Sequence, residues 1–147
     1  MDFASMGQTL ARNDGIDMHL TGPDGVTPLY AIEVKGKWQV TADPDAKGAL
    51  PCLFVVVGQD SRIYRRRKHE MVDALRTRQR TIKAAQIDDE ALKLVSAGVM
   101  GWKNIPWEGE LLEFSNDNLL KFLDGYRPAF DQANEFIADR TNFLKIG

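Results

Sequence analysis

The sequence is poor in the residues from which most recognisable active sites are built. It holds two histidines, His19 and His69, and one cysteine, Cys52. That set makes neither a four-ligand zinc site nor an HExxH helix, and a lone cysteine closes no internal disulfide. No GxSxG elbow, recognisable Cys–His pairing or phosphate-cradling glycine loop is present. The familiar catalytic arrangements are therefore missing, which removes the easy cases without excluding an enzyme, and no metal or cofactor is expected. An apolar run of about 18 residues is also missing, so no membrane span is expected. The first residues lack the basic-then-apolar order of a signal peptide. A net charge of −2 gives no global attraction to nucleic acid or to an anionic membrane. These absences point to a protein of a reducing cytoplasm.

What is present suits a folded globule. A chain of 147 residues, 44% hydrophobic and 27% charged, can build a core without disulfides or metal. Its patterning changes near residue 60. Before that point the apolar period is two, the period of strands. Ile16, Met18 and Leu20 alternate with polar residues, and Gly22-Pro23-Asp24-Gly25 reads as a turn. Tyr30, Ile32 and Val34 predict the inward face of a second strand, with Pro28 making its start an edge or a bulge. Gly36 permits a reversal into a third strand with Trp38 and Val40 on one side. The apolar run 53–57 reads as a central strand buried on both faces. Four strands in a meander or small sandwich are expected over 15–59, after a flexible leader over 1–14.

From residue 60 the period is helical. The reading places about four helices in 60–147, so the predicted class is α+β: a small antiparallel β region followed by a helical bundle. The first helix starts at Asp60 or Ser61 and carries a stripe of Tyr64, Met71, Val72, Leu75 and Ile82. The second is capped by Asp88, with Ile87 and Leu92 as a hydrophobic staple, and ends at Gly101. The third is capped by Ser115, with Phe114 and Leu119 as a staple, and stops at Gly125. The last is opened by Pro128 and turns Phe130, Ala133 and Ile137 inward.

Two features invite a chemical reading. Pro23-Asp24 followed by Glu33-Val34-Lys35 has the written form of a PD…ExK nuclease, in which carboxylates hold Mg²⁺ and a lysine helps activate water. A PDG turn and an exposed strand face explain the same residues. His19 and His69 read as solvated surface, and Cys52 as a buried structural thiol. Residues 62–83 hold nine basic and two acidic side chains, a balance of +7 against −9 for the remainder. Such a stripe serves an acidic protein surface, nucleic acid, or simply solvent. Nucleic acid is disfavoured because only Tyr64 interleaves the charges as an aromatic residue.

The most specific pattern lies toward the C-terminus. Gly101-Trp102-Lys103-Asn104-Ile105 is followed by Trp107-Glu108-Gly109, then by Glu113-Phe114-Ser115-Asn116-Asp117-Asn118. A proline-led helix with Gln132 and a closing Asn142-Phe143-Leu144 complete it. This order, with Val57-Gly58-Gln59-Asp60-Ser61 upstream, resembles the tail assembly chaperones of long-tailed bacteriophages and prophages. The resemblance spans roughly 16–144. It implies a non-catalytic protein of the host bacterial cytoplasm that binds the tape-measure protein and keeps it soluble. It also implies help in recruiting the tail tube protein, in some phages through a frameshifted extension. The candidate partner-binding residues are Arg65, Arg66, Arg67, Arg76, Trp102, Trp107 and Phe114. Two rival classes are a structural tail or neck completion protein of the virion and the Mg²⁺-dependent nuclease.

Overall fold

The computed structural model describes residues 2–78 and 84–144, with side chains described for all of these except 74–78 and 84–87. The fold is mixed α+β, as predicted. The segment read as a leader contains helix α1 (Phe3–Leu10), whose first turn is capped by the Asp2 carboxylate accepting the Ser5 N–H at 2.8 Å. Strands β1 (Ile16–His19), β2 (Tyr30–Val34), β3 (Lys37–Thr41), β4 (Leu50–Pro51) and β5 (Leu53–Val56) follow. Helices α2 (Arg62–Arg78) and α3 (Ala84–Ser96) lead to three strands, β6 (Val99–Lys103), β7 (Pro106–Trp107) and β8 (Glu110–Leu111). Helices α4 (Asn116–Gly125), α5 (Arg127–Ala138) and α6 (Thr141–Leu144) close the described chain. No described helix is long and apolar enough to cross a membrane.

The strands do not form one meander. β5 lies between β1 and β6 in an antiparallel sheet, and β2 lies between β3 and β4 in another. The predicted central position of β5 is therefore correct, but one neighbour comes from the part of the chain expected to be purely helical. Three backbone hydrogen bonds tie the sheets together. The Leu20 N–H donates to the Cys52 carbonyl, Leu29 N–H to Leu20, and Cys52 N–H to Leu29, at 2.9–3.1 Å. β2 joins β3 through Lys35 and Gly36, with φ of 53° and 79°. Two successive left-handed residues are what a two-residue hairpin with the natural strand twist requires. Pro28 stands outside β2, in an isolated bridge with Thr21.

Several local expectations are corrected by tertiary contacts. On β2 the buried residue is Ala31, whereas Ile32 is half-buried and Val34 is exposed; on β3 Trp38 is half-buried and Val40 exposed. The second helix does not end at Gly101. It ends at Ser96, and Gly98 sits where a Cβ would come within 2.4 Å of the Ile137 Cδ1. Gly101 is a strand residue opposite Val55. Asp88 is not a cap, because α3 begins at Ala84; the staple built on that start is lost with it. Asp88 binds the Arg127 guanidinium through both oxygens at 2.7 and 2.9 Å. Ser115 does cap α4, accepting the Asn118 N–H. Its predicted staple partner Phe114 instead lies edge-on to Trp102, while Leu119 is buried. On α2 Tyr64 is buried, Met71 is half-buried and Val72 is exposed. The Leu75 and Ile87 side chains and Ile82 lie outside the described residues.

One hydrophobic cluster draws on both halves. Met18, Leu20, Phe54 and Val56 from the sheets meet Leu92 and Val95 of α3, Leu119, Phe122 and Leu123 of α4, and Ala133 and Ile137 of α5. The change in periodicity at residue 60 separates two kinds of secondary structure around a shared core.

Candidate functional site

The residues of the ordered C-terminal pattern and of 57–61 converge on two structural tasks. The first is to lock α5 and α6 onto the sheets. The Gln132 amide donates to the His19 carbonyl at 2.7 Å, and its oxygen accepts from the Thr21 N–H and hydroxyl. One side chain on α5 thus pairs with a backbone carbonyl of β1 and with the backbone N–H of Thr21 just beyond that strand. Gln59 N–H donates to the Ile137 carbonyl, and its side-chain amide donates to Ala138. Asp60 makes a bidentate pair with Arg140 at 2.6 and 3.0 Å. The guanidinium holds the Asp60 carboxyl below its ordinary range. Fully buried Ser61 caps α2 by accepting the Tyr64 N–H. Gly58 leaves room for the Phe143 ring, since a Cβ there would stand 3.0 Å from it.

The second task is an aromatic joint between the sheet and α4. Trp102 on β6 stacks on Phe54 with centroids 5.9 Å apart and meets Phe114 and Phe122 at 5.1 and 5.7 Å. Its indole N–H donates to the Leu112 carbonyl at 2.8 Å. Trp107 meets Phe122 at 5.6 Å and approaches Gly125 so closely that a Cβ there would be 2.6 Å from the ring. Glu108 and Gly109, both with positive φ, turn β7 into β8. The Gly109 carbonyl accepts the Trp38 N–H and so covers the edge of β3. Trp102, Trp107 and Phe114 are thus brought together around Phe122; Trp102 and Trp107 are half-buried and Phe114 is exposed.

An apolar cleft of about 390 Å³ opens beside that joint, lined by Leu29, Val40, Cys52, Trp107, Phe122 and Tyr126. Phe122, Tyr126 and Val40 had no signal as site residues, because each reads as an ordinary member of a helix face or strand. Cys52 is buried, and desolvation pushes its thiol up to about 11. That fits a structural thiol.

The basic candidates lie elsewhere. Arg65, Arg66 and Arg67 are exposed on the first half of α2, together with Arg62 and Lys68. Asp60 faces Arg65 electrostatically. The Arg76 side chain is outside the described set. Arg67 shares a groove with Asn116, two residues from Phe114.

The nuclease-like residues are not arranged as that reading requires. Lys35 occupies the hairpin turn, so it does not alternate with Glu33 along a strand. Asp24 accepts the backbone N–H groups of Val26 and Thr27 and the Thr27 hydroxyl. Those bonds lower its pKa to about 2. No group of three or more His, Cys, Asp or Glu among the described residues is placed to hold a metal ion. His69 is exposed as predicted, but His19 is not simply solvated. Its Nε2 is 2.7 Å from the Leu29 carbonyl and its ring lies edge-on to Tyr30. Comparison of the chain with protein-family models, with curated proteins and with solved structures finds no match.

Proposed function

We propose that this chain is a non-catalytic tail assembly chaperone of a long-tailed bacteriophage or prophage, acting in the host bacterial cytoplasm. It binds the tape-measure protein before the tube polymerises and helps recruit the tail tube protein. The order of the motif residues supports the family reading. The observation that carries the reading is the first half of α2. Arg62, Arg65, Arg66, Arg67 and Lys68 are all exposed, and among the described side chains of that helix only Tyr64 is buried. Such a face contributes little to folding and much to association. Exposed charges also steer a partner at long range, an effect that fades with salt as the screening length shortens to about 8 Å at physiological ionic strength.

Co-expression with the tape-measure protein of the same phage or prophage, followed by affinity purification, tests the reading. The two proteins are expected to co-purify at low salt and to separate progressively as salt rises. Failure to co-purify at any salt overturns it. Recovery of the chain from washed mature particles selects a tail or neck completion protein, because a chaperone leaves before the particle is complete.

A further inference from the structure

We propose that the groove between α2, α3 and the start of α4 is a docking site for an acidic protein segment carrying an apolar side chain among its carboxylates. Arg67 and Lys93 would be its charge partners. The proposal rests on the chain being a binding protein, and it names the place and the chemistry of the contact.

The groove encloses about 320 Å³. Arg67, Glu70 and Met71, three and four residues apart and so on one face of α2, form one wall. Lys93, Ser96 and Ala97 at the end of α3 form the other, and Asn116 closes one end. Arg67 is exposed and has no ion-pair partner among the described residues. Lys93 is half-exposed and reaches Glu90 only at 3.8 Å, a contact too long and too solvated to occupy it fully. Glu70 is the one carboxylate among the lining residues, against the two cations. Ala97 is buried, and the buried Ser96 hydroxyl already donates to the Lys93 carbonyl at 2.6 Å. Met71 is half-buried, and its flexible thioether can adapt to an incoming apolar group.

Charge complementarity selects the occupant. The described cations of 62–68 span about 10 Å of helix, enough for a few carboxylates. Glu70, which also lines the groove, and Asp73 follow directly. Tyr64, the aromatic residue of that stretch, is buried and so offers no face for stacking a base. The rest of the chain is net acidic and repels a long polyanion. Separated carboxylates flanking an apolar side chain fit a patch that has both cations and Met71.

Fluorescence anisotropy on the full chain provides the test. Three probes are needed: a labelled peptide alternating glutamate and leucine, its lysine–leucine counterpart, and a random-sequence DNA duplex. The wild-type chain is expected to bind the acidic peptide best. The double variant R67E/K93E is expected to bind it at least about tenfold more weakly, about 1.4 kcal/mol, with an unchanged melting curve. The same variant is expected to gain affinity for the lysine peptide. Tighter binding of the duplex by the wild type, or equal binding of the acidic peptide by both proteins, overturns the proposal. Co-purification with the tape-measure protein separates the two readings. Retention by R67E/K93E equal to wild type removes the groove and keeps the chaperone. Groove-dependent peptide binding without any tape-measure complex keeps the groove and removes the chaperone.

Discussion

The C-terminal lock and the first half of α2 are opposite solutions for charged and polar side chains. In the lock, Gln132, Gln59, Asp60 and Arg140 are each spent on a partner more than 70 residues away in sequence. On α2, Arg66, Arg67 and Lys68 are exposed. Gln132 gains stability because the His19 carbonyl and Thr21 N–H that it meets are part-buried, whereas the Gln59 and Asp60–Arg140 contacts are exposed. The α2 face gains almost none, since exposed ion pairs are worth about 0–1 kcal/mol at best. Residues that look informative in the sequence thus contact distant parts of the fold, whereas the described cations of α2 are exposed.

The sharpest break in this contrast comes from the core that both regions share. Phe54 is fully buried and touches the rings of Trp102 and Phe122. Phe54→Ala is expected to cost about 3–5 kcal/mol, a large share of a domain's roughly 5–15 kcal/mol. Thermal or denaturant unfolding measures it, and a loss below about 1 kcal/mol would mean that the aromatic joint is not the centre of the core.

Gln132→Ala comes next. It strands the Thr21 N–H and the His19 carbonyl together, so a loss of about 1–3 kcal/mol is expected. Hydrogen exchange at the Thr21 amide is expected to speed up. Gln132→Glu keeps the acceptor but removes the donor, and is expected to restore the Thr21 protection while leaving His19 unpaired.

The ion pairs have a smaller effect, and one with a defined sign. Asp60 is held below its ordinary pKa by Arg140, and Asp88 by Arg127. Their contribution is full above the unfolded value near 3.8 and is lost as pH falls through the depressed folded values. The melting temperature is therefore expected to drop more steeply below about pH 4 in the wild type than in Asp60→Asn. Parallel acid limbs for the two proteins would show that the pair is only a surface contact.

The smallest expected effect on folding belongs to the α2 face. Reversing Arg65, Arg66 and Arg67 to Glu is expected to change stability by no more than about 0.5 kcal/mol. Co-purification with the tape-measure protein is expected to fall. A large stability loss would erase the contrast between the two regions.

Much of the fold was legible because its signals are local. The alternation in β1, the apolar run of β5, the Ser115 cap and the proline opening of α5 each depend on neighbours within a few residues. β6 was not legible, because Gly101 stands near the end of a helical pattern and looks like a stop. The glycine that matters is Gly98, and its reason lies on α5, at Ile137. Asp88 looked like a cap for the same kind of reason, and its partner Arg127 is far along the chain. The candidate site was legible in part. The cations of α2 can be read as a run, but their meeting with Lys93 depends on how α2 and α3 pack.

By itself the sequence determined the mixed class, the turn positions, the burial of Cys52 and the charge of α2, since each follows from composition or short-range backbone preference. Only the tertiary structure decided which face of β2 is buried. Ile32 and Ala31 point to opposite faces, and both faces are apolar enough to be either side. Ala31, paired across the strands with Val40 and Leu50, is fully buried although both of those neighbours are exposed, and the larger Ile32 is half-buried on the other face.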